Sequence, residues 1–401
     1  QYWENGKKNK FTSCKTYNKS MEIVRKSKRG IYLRMHPKFG TLIFSPYSGL
    51  FLAVARQFSE DVEKYCNNES CNLPEKIKNH LNIGNEEYEC APFKVEKWLP
   101  SKEFFSDIDE LPNDQPIVLN WLFSNKCNCD CAYCYAGDVI DKEFEEADVK
   151  IIAKKLLGMN PLAIVLSGGE PLLEETKLKD ILNTIGNKTG ILLDTNGLIF
   201  PRNIISLLKK YNVVVRVSLD SLSNKVNSII RPQRNKKNDV SSVATIVENI
   251  QSYRKAGITV LVHTVISTMN KKHIEDLATQ LPLLDINGWR IFTVVKPNDD
   301  AKKDSFDKLM RYGKIKSIED AEKNIRKELT RFERKFQSSS LFHIQILQSS
   351  ANKQNSVILV MPDGKLMTEG MFKSGKTIID SNAIFKKVDL RSHYERYFDE
   401  I

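Results

Sequence analysis

The chain has 401 residues, of which 41% are hydrophobic and 28% charged, enough to bury one large core and one smaller one. Its longest wholly apolar run, residues 49–55, is far too short to span a bilayer, and the first residues do not read as a secretory leader. A reduced, cytoplasmic, multidomain protein is expected, which excludes a membrane span and a disulfide-stapled scaffold. The net charge of +11 is concentrated in the first 35 residues and in 296–335. No aromatic-basic pattern accompanies it, so it reads as solvated faces and nucleic acid is not an expected partner.

Residues 1–105 read as a small α+β domain. Residues 30–46 alternate like a hairpin about a Pro-Lys-Phe-Gly turn, and residues 48–66 read as a helical stretch. Cys14, Cys66, Cys71 and Cys90 are too scattered here for a metal site and are expected to be ordinary thiols.

From residue 115 to 297 the rhythm changes. Short continuous apolar runs at 116–123, 161–167, 190–194, 212–218, 258–267 and 288–295 have the form of strands buried on both faces. Helical-period stretches at 146–158, 176–186 and 240–257 separate them, the last stopped by Gly257. Strands alternating with helices predict right-handed crossovers and a parallel sheet. Six units predict a partial (β/α)6 TIM-like barrel, with its site at the carboxyl ends of the strands.

The chemistry-bearing residues fall at those ends. Cys127, Cys131 and Cys134 follow the first strand, Gly168, Gly169 and Glu170 the second, Asn196 the third, and Ser218 and Asp220 the fourth. Three thiolates offered to a four-iron cluster leave one iron open to a non-protein ligand. Zinc is the rival, because Cys129 makes a fourth thiolate within eight residues, yet structural zinc usually draws on two separated pairs. Cys129 breaks the spacing of the triplet and is read as a bystander. Gly168 and Gly169 allow a close backbone approach, and Pro171 fixes the turn into the next helix. His263, inside an apolar run, is expected to be a satisfied core histidine, with a place on the barrel interior as the alternative.

The C-x3-C-x2-C triplet with Tyr133 before its last cysteine, followed by the strand ending in Gly168-Gly169-Glu170-Pro171, resembles the radical S-adenosylmethionine superfamily. The resemblance implies one [4Fe-4S] cluster on Cys127, Cys131 and Cys134, with S-adenosylmethionine chelating the open iron. It implies Gly168, Gly169 and Glu170 at the amino group, Ser218 and Asp220 near the ribose, Tyr133 near the adenine, and Asn196 and Arg231 as further contacts. An external one-electron donor would drive reductive cleavage to a 5′-deoxyadenosyl radical and hydrogen abstraction from substrate. The hairpin-then-helix layout of 1–105 is similar to the N-terminal modules of peptide-modifying members, so a ribosomally made peptide, held through a leader segment, is the expected substrate. A small molecule or nucleotide is the alternative, and an iron-sulfur protein without catalysis a further one.

Residues 298–401 read as an extension with a charged helix at 317–336 and two strands across an Asp-Gly turn at 355–370. No cysteine follows Cys134, so the auxiliary clusters of related maturases are not expected. Residues 370–377 fit a phosphate-loop pattern and residues 166–170 a transporter-ATPase signature. Their order is reversed, and the loop lacks its strand and helix, so a nucleotide hydrolase is set aside.

Overall fold

The computed structural model describes residues 23–36, 40–74, 78, 81, 116–137, 139–145, 147–234, 242–296, 302–313, 315–336, 343–347 and 357–368. Cys14, Cys90, the Pro37-Lys38-Phe39 turn and the phosphate-loop pattern at 370–377 lie outside them. Among the described residues, no helix is long and apolar enough to cross a membrane.

Four strands, β1 (Arg25–Lys26), β2 (Tyr32–His36), β3 (Gly40–Ser45) and β4 (Leu50–Ala55), form an antiparallel meander followed by helix α1 (Ser59–Cys66). The expected hairpin is β2 with β3, in register from Tyr32↔Phe44 to His36↔Gly40. The helical reading of residues 48–66 is corrected in its first half. Leu50–Ala55 is a strand paired along its length with β3, because a continuous apolar run gains more from the ladder and two covered faces than from helix propensity. Cys66 and Cys71 pack in the small core between meander and α1.

Strand β5 (Val118–Ser124) opens the large sheet. The chain then runs α2 (Val149–Gly158), β6 (Ala163–Gly168), α3 (Glu175–Ile185), β7 (Gly190–Thr195), α4 (Ile205–Lys210), β8 (Val214–Ser218), α5 (Asn224–Ile230), α6 (Ser242–Lys255), β9 (Val260–Ile266), α7 (Ile274–Gln280) and β10 (Gly288–Thr293). Asp148 caps α2 by accepting from the Lys150 N–H at 2.7 Å, and Gly257 follows α6 with φ +76°. Neighbouring strands from β5 to β10 are all parallel. This is the partial barrel, and it is wider than six strands. After α8 (Lys303–Met310) and α9 (Ile318–Phe336), β11 (His343–Leu347) adds a parallel strand beside β10. Strands β12 (Ile358–Val360) and β13 (Leu366–Thr368) form the expected hairpin across an Asp-Gly turn, and β12 lies parallel to β5. The sheet therefore has nine strands, in the order β11-β10-β9-β8-β7-β6-β5-β12-β13.

The meander closes the floor of the barrel. Phe44, Phe51 and Leu42 share a core with Val118, Val165, Leu192, Val214 and Leu261 from the lower strand ends. Arg34 donates to the carbonyls of Pro116 (3.0 Å) and Asn160 (2.8 Å), and Arg290 to that of Gly49 (2.8 Å). The tightest point is Gly190 at the start of β7, where a Cβ would lie 2.2 Å from Cδ1 of the fully buried Phe44. Gly190→Ala is expected to lower stability by about 1–3 kcal/mol through overpacking. Urea unfolding checks this, and adding Phe44→Leu should recover part of the loss.

Candidate active site

All the sequence-predicted site residues lie on one rim, at the carboxyl ends of β5 to β8. A register shift between Leu122 and Ser124 bends β5 as it leaves the sheet and launches the cysteine loop.

The Gly168-Gly169-Glu170 turn is built against that loop. The Gly169 N–H donates to Ser124 O and the Glu170 N–H to Lys126 O, both at 2.7 Å. Gly168 has φ +131°, and a Cβ there would lie 2.2 Å from Ser124 O. A Cβ on Gly169 would lie 2.0 Å from Lys126 O and 3.1 Å from the Cys127 Cβ. The close approach anticipated for a ligand is thus made, in this structure, by the chain's own backbone, and it fixes where Cys127 begins.

Glu170 is fully buried. Its Oε1 accepts from the Leu172 N–H (3.1 Å) and the Thr195 hydroxyl (2.8 Å), and its Oε2 from the Asn196 N–H (2.7 Å). Burial pushes the carboxyl up, against the pull of those donors. Asn196 in turn donates through Nδ2 to Asn128 Oδ1 at 2.6 Å, so one chain of contacts runs from β6 through β7 back into the cysteine loop.

A second cluster grips the loop from the other side. Tyr133 donates its hydroxyl hydrogen to Asp220 Oδ2. Arg231 donates from Nη1 to the Tyr133 oxygen at 3.0 Å and stands 3.8 Å from Asp220. Asp220, fully buried, also accepts from the Val265 N–H at 2.7 Å. Burial raises both the Asp220 carboxyl and the Tyr133 hydroxyl, with Arg231 opposing in each case. Tyr133, expected at the adenine, and Asp220, expected near the ribose, are therefore bonded to each other here and position the loop, while Ser218 ends β8.

Sequence reasoning missed a third device, a short ladder between the loop and residues 230–234. Asp130 N donates to Pro232 O (2.8 Å), Ala132 N to Ile230 O (3.1 Å) and Arg234 N to Asn128 O (2.8 Å), with Cys129 bridged to Gln233. Neither side carries a strand pattern, so no signal in the sequence announces the pairing. It leaves Cys129 buried at 3% exposure while Cys127, Cys131 and Cys134 stay partly open to the rim. Burial pushes the Cys127 thiol up to about 11 and that of Cys134 to about 12. Among the described residues, no three His, Cys, Asp or Glu side chains are set to grasp a single metal ion. Three partly exposed thiols on one short loop are the donor type that an iron-sulfur group takes, and Cys129, buried by the ladder, is set apart from them.

Residues 121–281 match the model of the radical SAM superfamily. The barrel of this chain is a radical SAM domain. Over 201 residues the chain is 29% identical to an S-adenosylmethionine-dependent nucleotide dehydratase of Psychrobacter lutiphocae, covering 45% of this chain and 66% of the relative. The chain thus spans just under two thirds of that relative's length. The fold also matches SuiB of Streptococcus suis, solved with its precursor peptide SuiA, with a TM-score of 0.55 at 13% identity over 94% of this chain and 89% of SuiB. It matches anSMEcpe with bound AdoMet with a TM-score of 0.52 at 15% identity, over 71% of this chain and 83% of that one.

Tyr133→Phe is expected to leave Asp220 and Arg231 buried with one partner fewer each, costing about 1–3 kcal/mol. The urea midpoint should fall, and limited proteolysis should cut first within residues 125–137.

Proposed function

We propose that this chain is a radical S-adenosylmethionine enzyme that modifies a ribosomally synthesised peptide. The observation that carries the chemistry is the three half-open thiols, Cys127, Cys131 and Cys134, on a loop pinned by backbone hydrogen bonds to the Gly-Gly-Glu turn. Cys127, Cys131 and Cys134 would hold a [4Fe-4S] cluster, which would pass one electron from an external donor to S-adenosylmethionine and so supply methionine and a hydrogen-abstracting 5′-deoxyadenosyl radical.

The protein's own part is placement. Gly168 and Gly169 hold the turn flush with the loop, while Glu170 and Asn196 lock the turn to β7. Asn196 and Ser218 are the candidates to meet the nucleoside part of the cosubstrate, while Tyr133, Asp220 and Arg231 hold the loop beside them. A pinned rim costs little rearrangement at the moment of reaction. An external one-electron donor is the required partner.

The peptide reading is supported by a fold likeness that takes in the meander as well as the barrel. The β4 side of the meander is a sheet edge among the described residues, a place where an extended leader can add a strand. The nucleotide dehydratase relative favours a second reading, a nucleotide substrate.

Anaerobic reconstitution followed by reduction with dithionite tests the chemistry. The expected result is 5′-deoxyadenosine release from wild-type protein and background levels from the Cys127→Ala, Cys131→Ala and Cys134→Ala variants, with iron content reduced in each. Cys129→Ala should keep both. Unchanged iron and nucleoside release in all three ligand variants would overturn the proposal. For the substrate, leader-dependent mass change in a peptide encoded beside this chain is expected. Turnover of a nucleoside triphosphate instead would favour the second reading.

A further inference from the structure

The cysteine loop carries an ion network on its solvent side. Its four members are Asp130, Asp141, Arg234 and Lys302. Lys302 donates from Nζ to Asp130 Oδ1. Arg234 stands with Nη2 at 3.5 Å from the same oxygen and donates from Nη1 to Asp141 Oδ2. Asp141 closes the far end of the loop, where its N–H returns to Asn125 O at 2.8 Å. Two cations thus meet two carboxylates, and Asp130, shared between the cations, directly precedes Cys131.

Lys302 is the unusual member. The Asp130 and Asp141 side chains are 51% and 62% exposed, whereas that of Lys302 is 13% exposed. An ion pair open to water on both sides contributes little, but an ammonium withdrawn this far from water depends on its partner. Lys302 is also firmly based. It precedes α8, which packs into the barrel core through Phe306, Leu309 and Met310. The Thr268 hydroxyl, just after β9, lies 2.8 and 2.7 Å from the Leu309 and Met310 carbonyl oxygens. On either side of Cys131, the loop is tied at Asn128 through Asn196 and at Tyr133 through Asp220. Between those ties the ladder partners are the last residue of α5 and the residues after it. Lys302 adds the hold of a helix docked on the barrel, at the residue next to Cys131. Burial raises the Cys131 and Cys134 thiols, and the ammonium is close enough to pull against it at both.

We propose that Lys302 is a positioning residue of the iron-sulfur site, holding Asp130 so that Cys131 stays where a cluster needs it. The inference rests on the iron-sulfur part of the proposed function and gives the C-terminal extension a part in it. That extension brings no cysteine to the site. What it brings is a cation from 172 residues further along the chain, based on a packed helix and acting through Asp130. Groups that orient the ligands of a metal site change its metal retention about tenfold or more when they are removed. The charge is what the pair requires, so arginine can replace the lysine and an apolar side chain of similar length cannot.

The test compares the full chain with Lys302→Met, which keeps most of the aliphatic stem and loses the charge, and with Lys302→Arg, which keeps the charge. In the cluster-free protein, amides of residues 128–134 are expected to exchange hydrogen several-fold faster in Lys302→Met, with β5 unchanged. After anaerobic reconstitution, Lys302→Met should lose iron to EDTA about tenfold faster than wild type. The electron paramagnetic resonance signal of its dithionite-reduced cluster should also shift, and Lys302→Arg should restore all three readouts. Asp130→Asn breaks the same pair from the other end and serves should Lys302→Met not fold. A purely structural lysine would instead lower the urea midpoint and speed exchange throughout α8 while leaving the resonance signal in place. That result overturns the positioning role, as does wild-type exchange and iron retention in Lys302→Met. Wild-type protein that takes up no cluster overturns the radical reading and this inference with it, whereas a loaded wild type beside an unaffected Lys302→Met overturns the inference alone.

Discussion

The rim is organised by two backbone hydrogen bonds, Gly169 N to Ser124 O and Glu170 N to Lys126 O. They bring the end of β6 against the exit of β5 with no room for a side chain on either glycine. Such a contact satisfies polar groups that would otherwise be buried unpaired. It also sets the start of the cysteine loop relative to the sheet, so every other contact on the rim acts on a loop whose origin is fixed. Glu170 and Asn196 extend the constraint to β7, and the Tyr133, Asp220 and Arg231 cluster extends it to the residues after β8 and to β9.

Three thiols on one short loop are chemically versatile, and what narrows them is burial. The ladder with residues 230–234 takes Cys129 inside and leaves Cys127, Cys131 and Cys134 partly exposed. Burial is the largest influence on all four thiols and raises each of them, while the buried cation Arg231 pulls against it at Cys127, Cys129 and Cys131 and Glu170 or Asp220 pushes with it. The interior wall has a different character, with Arg216 and Asp194 paired along adjacent strands and the His263 imidazole left over. The floor below it is sealed by the meander.

The sequence by itself determined the domain type and its polarity. Continuous apolar runs alternating with helical periods give a parallel barrel because strands covered on both faces have no polar alternation to show. The cysteine spacing and the Gly-Gly-Glu-Pro turn marked the rim because both are local in sequence. Only the tertiary structure decided which partners those residues meet. Leu50–Ala55 became a strand by pairing with β3, β11 joined the sheet edge, and the glycines packed on backbone. Asp220 and Tyr133 found each other across 87 residues, while the His263 Nε2 was buried without a hydrogen-bond partner. The physical reason is that hydrogen-bond satisfaction and burial are properties of neighbours distant in the chain, and periodicity and spacing carry no record of them.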